Sequence, residues 1–125
     1  MARFPFNFKR QFVPAIVDGT KCQTIRANRK DGKRPQPGDI AALYTGLRTR
    51  STQHLRDGEV TRCRGVRIDC IGNGDLVIDG QHLTGPDRTA FAQADGFSDW
   101  PAMLDFFKTQ YAVATFEGFC VEWKA

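Results

Sequence analysis

A chain of 125 residues with 41% hydrophobic and 26% charged side chains has the size of one domain and enough apolar surface for one core, which sets intrinsic disorder aside. No apolar run approaches the roughly 18–20 residues of a membrane span. The net charge of +4 divides into +10 over residues 1–67 and −6 over residues 68–125, so the first half is expected to offer a positive surface to a polyanion unless the halves interleave in space.

Phe4, Phe6 and Phe8 alternate with polar or turn residues, the period of a half-buried strand. Phe12, Val13, Ile16 and Val17 follow at helical spacing, with Pro14 acceptable only near the helix start, and Asp18-Gly19 ends that segment. Residues 22–26 read as a strand, residues 27–37 as a polar loop, and Ile40 to Tyr44 as a compact apolar strand. Thr45 to Glu59 has no clean period and is expected to form a long, basic, mobile loop of the functional kind. Val60 to Ile71 alternates as a strand. Asn73-Gly74 and Asp79-Gly80 mark hairpin turns on either side of Leu76-Val77-Ile78. Pro86 to Ala94 suits a short helix. Ser98 is the expected N-cap of an amphipathic helix carrying Trp100, Met103, Leu104 and Phe107, and Thr115 to Trp123 closes the chain as a strand. Five or six strands with two or three flanking helices predict a small α+β barrel formed by one domain, residues 1–125.

The N-terminal residues lack the basic leader and apolar stretch of a signal peptide, so a cytoplasmic protein is expected, with Cys22, Cys63, Cys70 and Cys120 reduced. The cysteines form no CxxC pair, and neither His54 nor His82 stands at ligand spacing from them. No metal and no organic cofactor is expected.

The densest polar group is Gly19-Thr20-Lys21-Cys22-Gln23-Thr24-Ile25-Arg26. On a strand, Thr24 and Arg26 share one face, and Lys21 joins them only where the turn after Gly19 re-aims it. A desolvated lysine beside a hydroxyl can take its proton and make it a nucleophile, while Arg26 supplies a fixed donor to a phosphate or an oxyanion. The alternative is an edge strand with a solvated lysine and a surface arginine.

Gly19-x-Lys21-x-x-Thr24-x-Arg26, followed by Pro37-Gly38-Asp39 ahead of an apolar strand, resembles the ASCH family of PUA-like domains. Asp95-Gly96-Phe97-Ser98, the helix through Phe106-Phe107 and the last strand to Trp123 extend the resemblance over nearly the whole chain. It implies a β-barrel with flanking helices and a cleft over its mouth, lined by the Lys-Thr-Arg strand. It also implies RNA binding, in some members RNA cleavage, and in a small bacterial branch hydrolysis of N4-acetylcytidine. That branch implies a catalytic Lys, Thr and Glu. Lys21 and Thr24 match the first two, and Asp95, one methylene shorter than Glu, stands at the third. Asp95 is expected either to accept a hydrogen bond from a base edge or to pair with Lys21. The second role conflicts with Lys21 as a base, since a paired carboxylate holds an ammonium charged. The extra basic segment at 45–62 implies a substrate larger than a free nucleoside, or a different one.

Arg26, Arg29, Lys30, Lys33 and Arg34 gather five cations in nine residues, and Arg48, Arg50 and Arg56, then Arg62, Arg64 and Arg67, follow. Arginine favours planar contact with phosphate. Recognition of single-stranded RNA also needs aromatic faces, for which Tyr44 is the first candidate and Trp100 the second. His54 is a candidate general acid or base for RNA cleavage, and His82 is read as structural. Two functions are therefore expected: a module binding RNA or a modified nucleotide through Arg26, Arg29, Lys30, Lys33, Arg34, Tyr44, Arg48 and Arg50, or a metal-independent hydrolase, amidohydrolase or ribonuclease, centred on Lys21, Thr24 and Asp95.

Overall fold

The alternation at Phe4, Phe6 and Phe8 becomes strand β1 (Arg3–Phe8), which buries Phe6 and Phe8; the computed structural model describes residues 1–125. A 3-10 turn over Arg10–Phe12 leads into helix α1 (Val13–Asp18), with Pro14 in its first turn, where a missing N–H costs nothing. Gly19 ends the helix at φ +84, a conformation that favours glycine. Strands β2 (Gln23–Ala27) and β3 (Ile40–Thr45) follow, then β4 (Gln53–Asp69), β5 (Asp75–Ile78) and β6 (Gln81–Leu83). Helices α2 (Gly85–Ala94) and α3 (Trp100–Tyr111) precede the last strand, β7 (Thr115–Trp123).

The chain forms two compact units. The first comprises Met1–Gln23, Pro35–Cys63 and Val121–Ala125. Its β1 runs parallel to β3, from Arg3 opposite Ile40 to Phe8 opposite Thr45. The start of β4 lies antiparallel to β3, with a register shift between Leu43 and Tyr44. Phe6, Phe8, Phe12, Ile16, Leu43, Val60 and Trp123 are buried here, and Phe8 meets the Trp123 ring edge-on at 6.3 Å.

The second unit comprises Thr24–Arg34 and Arg64–Cys120. The end of β4 pairs antiparallel with β5, and β5 with β6, across turns that hold Gly74, Asp79 and Gly80 at positive φ. Met103, Leu104 and Phe107 of α3 are buried, as are Ile68, Leu76 and Phe119. Phe107 stacks on Tyr111 at 5.5 Å and meets Phe116 edge-on at 5.0 Å.

The class is α+β, with three α-helices and seven strands of mixed sense where five or six were expected. The ladder runs β1-β3-β4-β5-β6, with β7 joining β4 to β2. It does not return to β1, so this pairing is open where the barrel expectation required a closed ring.

Three further expectations are corrected. The long mobile loop at 45–59 is absent: only Gly46–Thr52 connects β3 to β4, and residues 53 to 69 form one strand of 17 residues. Its first five positions are all at least partly solvated, so no burial contrast writes a period of two into the sequence, and pairing with β3 decides the structure. The N-cap of α3 is Asp99, not Ser98; its carboxylate accepts from the Ala102 N–H at 2.9 Å. The charge asymmetry also dissolves. The first unit holds nine basic and five acidic residues, net +4, and the second holds nine of each, net zero. No helix is long and apolar enough to cross a membrane, and all four cysteines are free thiols.

Candidate ligand-binding site

Strand alternation puts Thr24 and Arg26 on one face of β2, and the Arg26 Nε donates to the Thr24 Oγ1 at 3.2 Å. Thr24 is 5% exposed. β7 approaches β2 closely because Gly118 has no side chain; a Cβ there would overlap the Arg26 carbonyl oxygen. The β2 backbone is thereby locked, which fixes where both side chains point.

Asp95 caps the C-terminus of α2, its N–H donating to the Phe91 carbonyl at 3.1 Å, and is 4% exposed. It lies after α2 rather than at the head of α3. Burial pushes the pKa of the Arg26 guanidinium down, and the charges of Tyr111 and Asp95 pull it back up. Burial likewise pushes the Tyr111 hydroxyl above its ordinary value, opposed by Arg26 and assisted by Asp95. Thr24, Arg26, Asp95 and Tyr111 thus share one electrostatic neighbourhood in the second unit. It combines a cation, an anion and two hydroxyls, enough to donate to and accept from one polar ligand. Tyr111 is the member that sequence reasoning missed. Its only sequence signal is the i, i+4 step from Phe107, which reads as core.

Lys21 belongs to the first unit. It is 3% exposed, with its Nζ 4.9 Å from the centre of the Phe12 ring and 5.9 Å from that of Phe8. Its backbone N–H donates to the Ala15 carbonyl at 2.9 Å, so the turn after Gly19 is folded back onto α1. The solvated-lysine alternative is excluded by this burial.

The expected binding cations divide by setting. Arg29, Lys30 and Lys33 are exposed on the 28–39 loop, and Arg29 pairs with Asp31 at 3.0 Å. Arg34 is half-buried, donating to the Asn28 Oδ1 at 2.9 Å and to the Gly118 carbonyl at 3.4 Å. Arg48 and Arg50 are exposed in the 46–52 loop of the first unit, Arg48 at φ +66. In that unit Tyr44 packs edge-on against His54 at 5.0 Å. The His54 Nε2 lies 2.8 Å from the Asp57 Oδ1, and Arg3 clasps the same carboxylate at 2.7 and 3.0 Å. That clasp, with His54, holds the Asp57 carboxyl below its usual range. His82 sits against Asp75 at 2.8 Å. Trp100 is no stacking platform: its indole N–H donates to the Asn73 carbonyl at 2.8 Å and Arg88 covers its ring at 4.9 Å.

No three His, Cys, Asp or Glu side chains converge as metal ligands do. The chain matches no family model, no curated protein and no solved structure.

Proposed function

We propose that this protein is an ASCH-like module that binds RNA, or a modified nucleotide within it, with Arg26 at the centre of the site. The observation that carries the reading is the Arg26–Thr24 bond beside Asp95 and Tyr111. A half-buried guanidinium costs stability unless its surroundings compensate it, and mutually perturbed titratable groups cluster at functional sites. Such a group offers donors to an acceptor edge or a phosphate, and acceptors to an exocyclic amine. The exposed Arg29, Lys30 and Lys33 lie on the loop that follows the same strand and supply sequence-independent attraction. The PUA-like likeness enters as an order of strands and helices rather than as a closed ladder, and cytoplasmic residence is proposed with it. Fluorescence anisotropy with a labelled single-stranded RNA tests the reading. Arg26→Gln is expected to weaken binding about tenfold, the worth of a charge-assisted bond, with an unchanged circular dichroism spectrum. Equal affinities for parent and variant refute it.

A hydrolase is the second reading, amidohydrolase or ribonuclease, and one observation favours it. A hydroxyl that accepts from a guanidinium is placed so that negative charge developing on its oxygen is stabilised. In the amidohydrolase form the Thr24 hydroxyl attacks the acyl carbon of an N4-acylated cytidine, and the C–N bond breaks as a proton passes to the departing cytosine amine. Water then hydrolyses the acyl-threonine ester to free the carboxylic acid. Asp95 orients the base, and Lys21 enters as the base through the resemblance alone. A chromatographic time course with N4-acetylcytidine, beside Lys21→Ala and Thr24→Val, separates the two readings. Conversion by the parent alone supports hydrolysis, and no conversion by the parent leaves binding.

A further inference from the structure

Three glycines lie inside strands: Gly58 and Gly65 in β4 and Gly118 in β7. Packing demands two of them. A Cβ on Gly58 would come within 2.6 Å of the Trp123 ring, and one on Gly118 would overlap the Arg26 carbonyl. Gly65 has no such reason. Its φ is not positive, and a Cβ there would meet only the Asp79 Oδ1 at 3.5 Å and the Arg34 Nη1 at 3.7 Å, ordinary contacts. A bare glycine in a strand weakens it and often marks close approach by a ligand.

The space that Gly65 leaves open is part of a cleft of about 350 Å³ within the second unit, lined also by Asn28, Arg34, Arg67, Asp79 and Glu117. Gly65 is tied to Asp79 by two bonds, its N–H to the Asp79 Oδ1 at 2.7 Å and the Asp79 N–H to its carbonyl at 2.9 Å. Arg67 stands opposite Val77 one step along the same face. Glu117, which also lines the cleft, is exposed. Arg34 is braced by Asn28 and by the Gly118 carbonyl, with its guanidinium 5.9 Å from the centre of the Phe119 ring. Asn28 lies two residues past Arg26, just after the end of β2, so the cleft and the Arg26 site share one stretch of chain.

We infer that this cleft is a second base-binding subsite, which seats a guanine of a single-stranded RNA next to the nucleotide held at Arg26. Guanine's Watson–Crick edge presents two adjacent N–H donors and one carbonyl acceptor. A carboxylate with both oxygens available takes the two donors in parallel, and Glu117 is that carboxylate. Arg67 and the Asn28 amide supply donors for the carbonyl. Val77 gives an apolar floor for the ring, and the bare Gly65 lets it approach the strand. The inference rests on the RNA-binding reading and specifies it as a guanine-containing strand longer than one nucleotide.

The test compares two labelled RNA hexamers by anisotropy, all uridine and uridine with one central guanosine, against the parent chain, Gly65→Leu and Glu117→Gln. The parent is expected to prefer the guanosine hexamer about tenfold, the worth of one bidentate contact. Gly65→Leu fills the cleft without backbone strain and is expected to bind the two hexamers equally while melting no lower than the parent. Glu117→Gln removes a negative charge, so it is expected to bind both hexamers at least as tightly as the parent binds all-uridine, with the preference gone. Equal affinities in the parent, or an undiminished preference in both variants, overturn the subsite and leave RNA binding standing. Absence of binding to either hexamer by the parent removes the RNA-binding reading and the subsite with it.

Discussion

The Arg26 Nε and the Thr24 Oγ1 are 3.2 Å apart on one face of β2, which makes the hydroxyl the acceptor and leaves its own proton for another partner. Thr24→Val keeps the shape and removes that acceptor. A charged donor left short of an acceptor in a part-buried place costs about 1–3 kcal/mol, so Thr24→Val is expected to lower stability to urea by that amount and Thr24→Ser by less. Equal stability of the valine variant and the parent would show that the bond contributes nothing.

Gly118 and Gly65 are both strand glycines, yet their substitutions are expected to differ sharply. Gly118→Ala drives a methyl into the Arg26 carbonyl, backbone against backbone, where no side chain can yield. Overpacking of this kind costs about 3 kcal/mol. Gly65→Ala meets only ordinary contacts, and a strand gains from losing a glycine. Chemical denaturation of the two variants is expected to give a large loss for the first and none for the second.

Helix α3 starts at Asp99, whose carboxylate accepts the Ala102 N–H at 2.9 Å. Asp99→Ala is expected to cost about 1 kcal/mol, the usual worth of a cap, and Ser98→Ala almost nothing. Thermal melts of the two alanine variants decide between the two residues, and a larger loss from Ser98→Ala would move the helix start back by one.

That helix shows how far the sequence reaches. Trp100, Met103, Leu104 and Phe107 repeat at helical spacing because one side of α3 is buried, so the element is legible. The cap is not, because Ser98 and Asp99 are equally good caps and only the chain's path selects one. β4 fails for the opposite reason: Gln53 to Asp57 face solvent wholly or in part, and partner strands rather than burial make them extended. At the candidate site, Thr24 and Arg26 follow from strand parity alone. Asp95 came from resemblance, and Tyr111 gave no functional signal, since an aromatic at i+4 from Phe107 reads as core until the fold brings Arg26 within its electrostatic reach. The +10 and −6 halves had no spatial meaning, because each unit draws on both.

Tyr111 is one of two tyrosines, and its hydroxyl is held above the ordinary value near 10, chiefly by burial. A raised pKa in the folded state means that the protonated phenol stabilises the fold. This contribution is whole below the unfolded value and is lost as pH rises through the folded one. An absorbance titration of tyrosinate is expected to show a step above 10 that disappears in Tyr111→Phe. The parent is also expected to lose more stability than the variant as the solution is taken above pH 10. Identical titrations of parent and variant, less one ordinary tyrosine, would place Tyr111 in solvent and detach it from Arg26.

The distribution of cations sets the salt dependence expected of RNA binding. Arg3, Arg29, Arg62 and Lys124 already face carboxylates, so binding through them would first have to break an ion pair. Arg48 and Arg50, exposed on the 46–52 loop, have no such competitor among the ion pairs. If both meet phosphates, the double variant Arg48→Ala, Arg50→Ala is expected to flatten the slope of log affinity against log salt by about 1.4, near 0.7 per phosphate on a single strand. An unchanged slope would assign the phosphate contacts to the loop that carries Arg29, Lys30 and Lys33. The short 46–52 connection would then be a turn between two strands, with its arginines serving solubility alone.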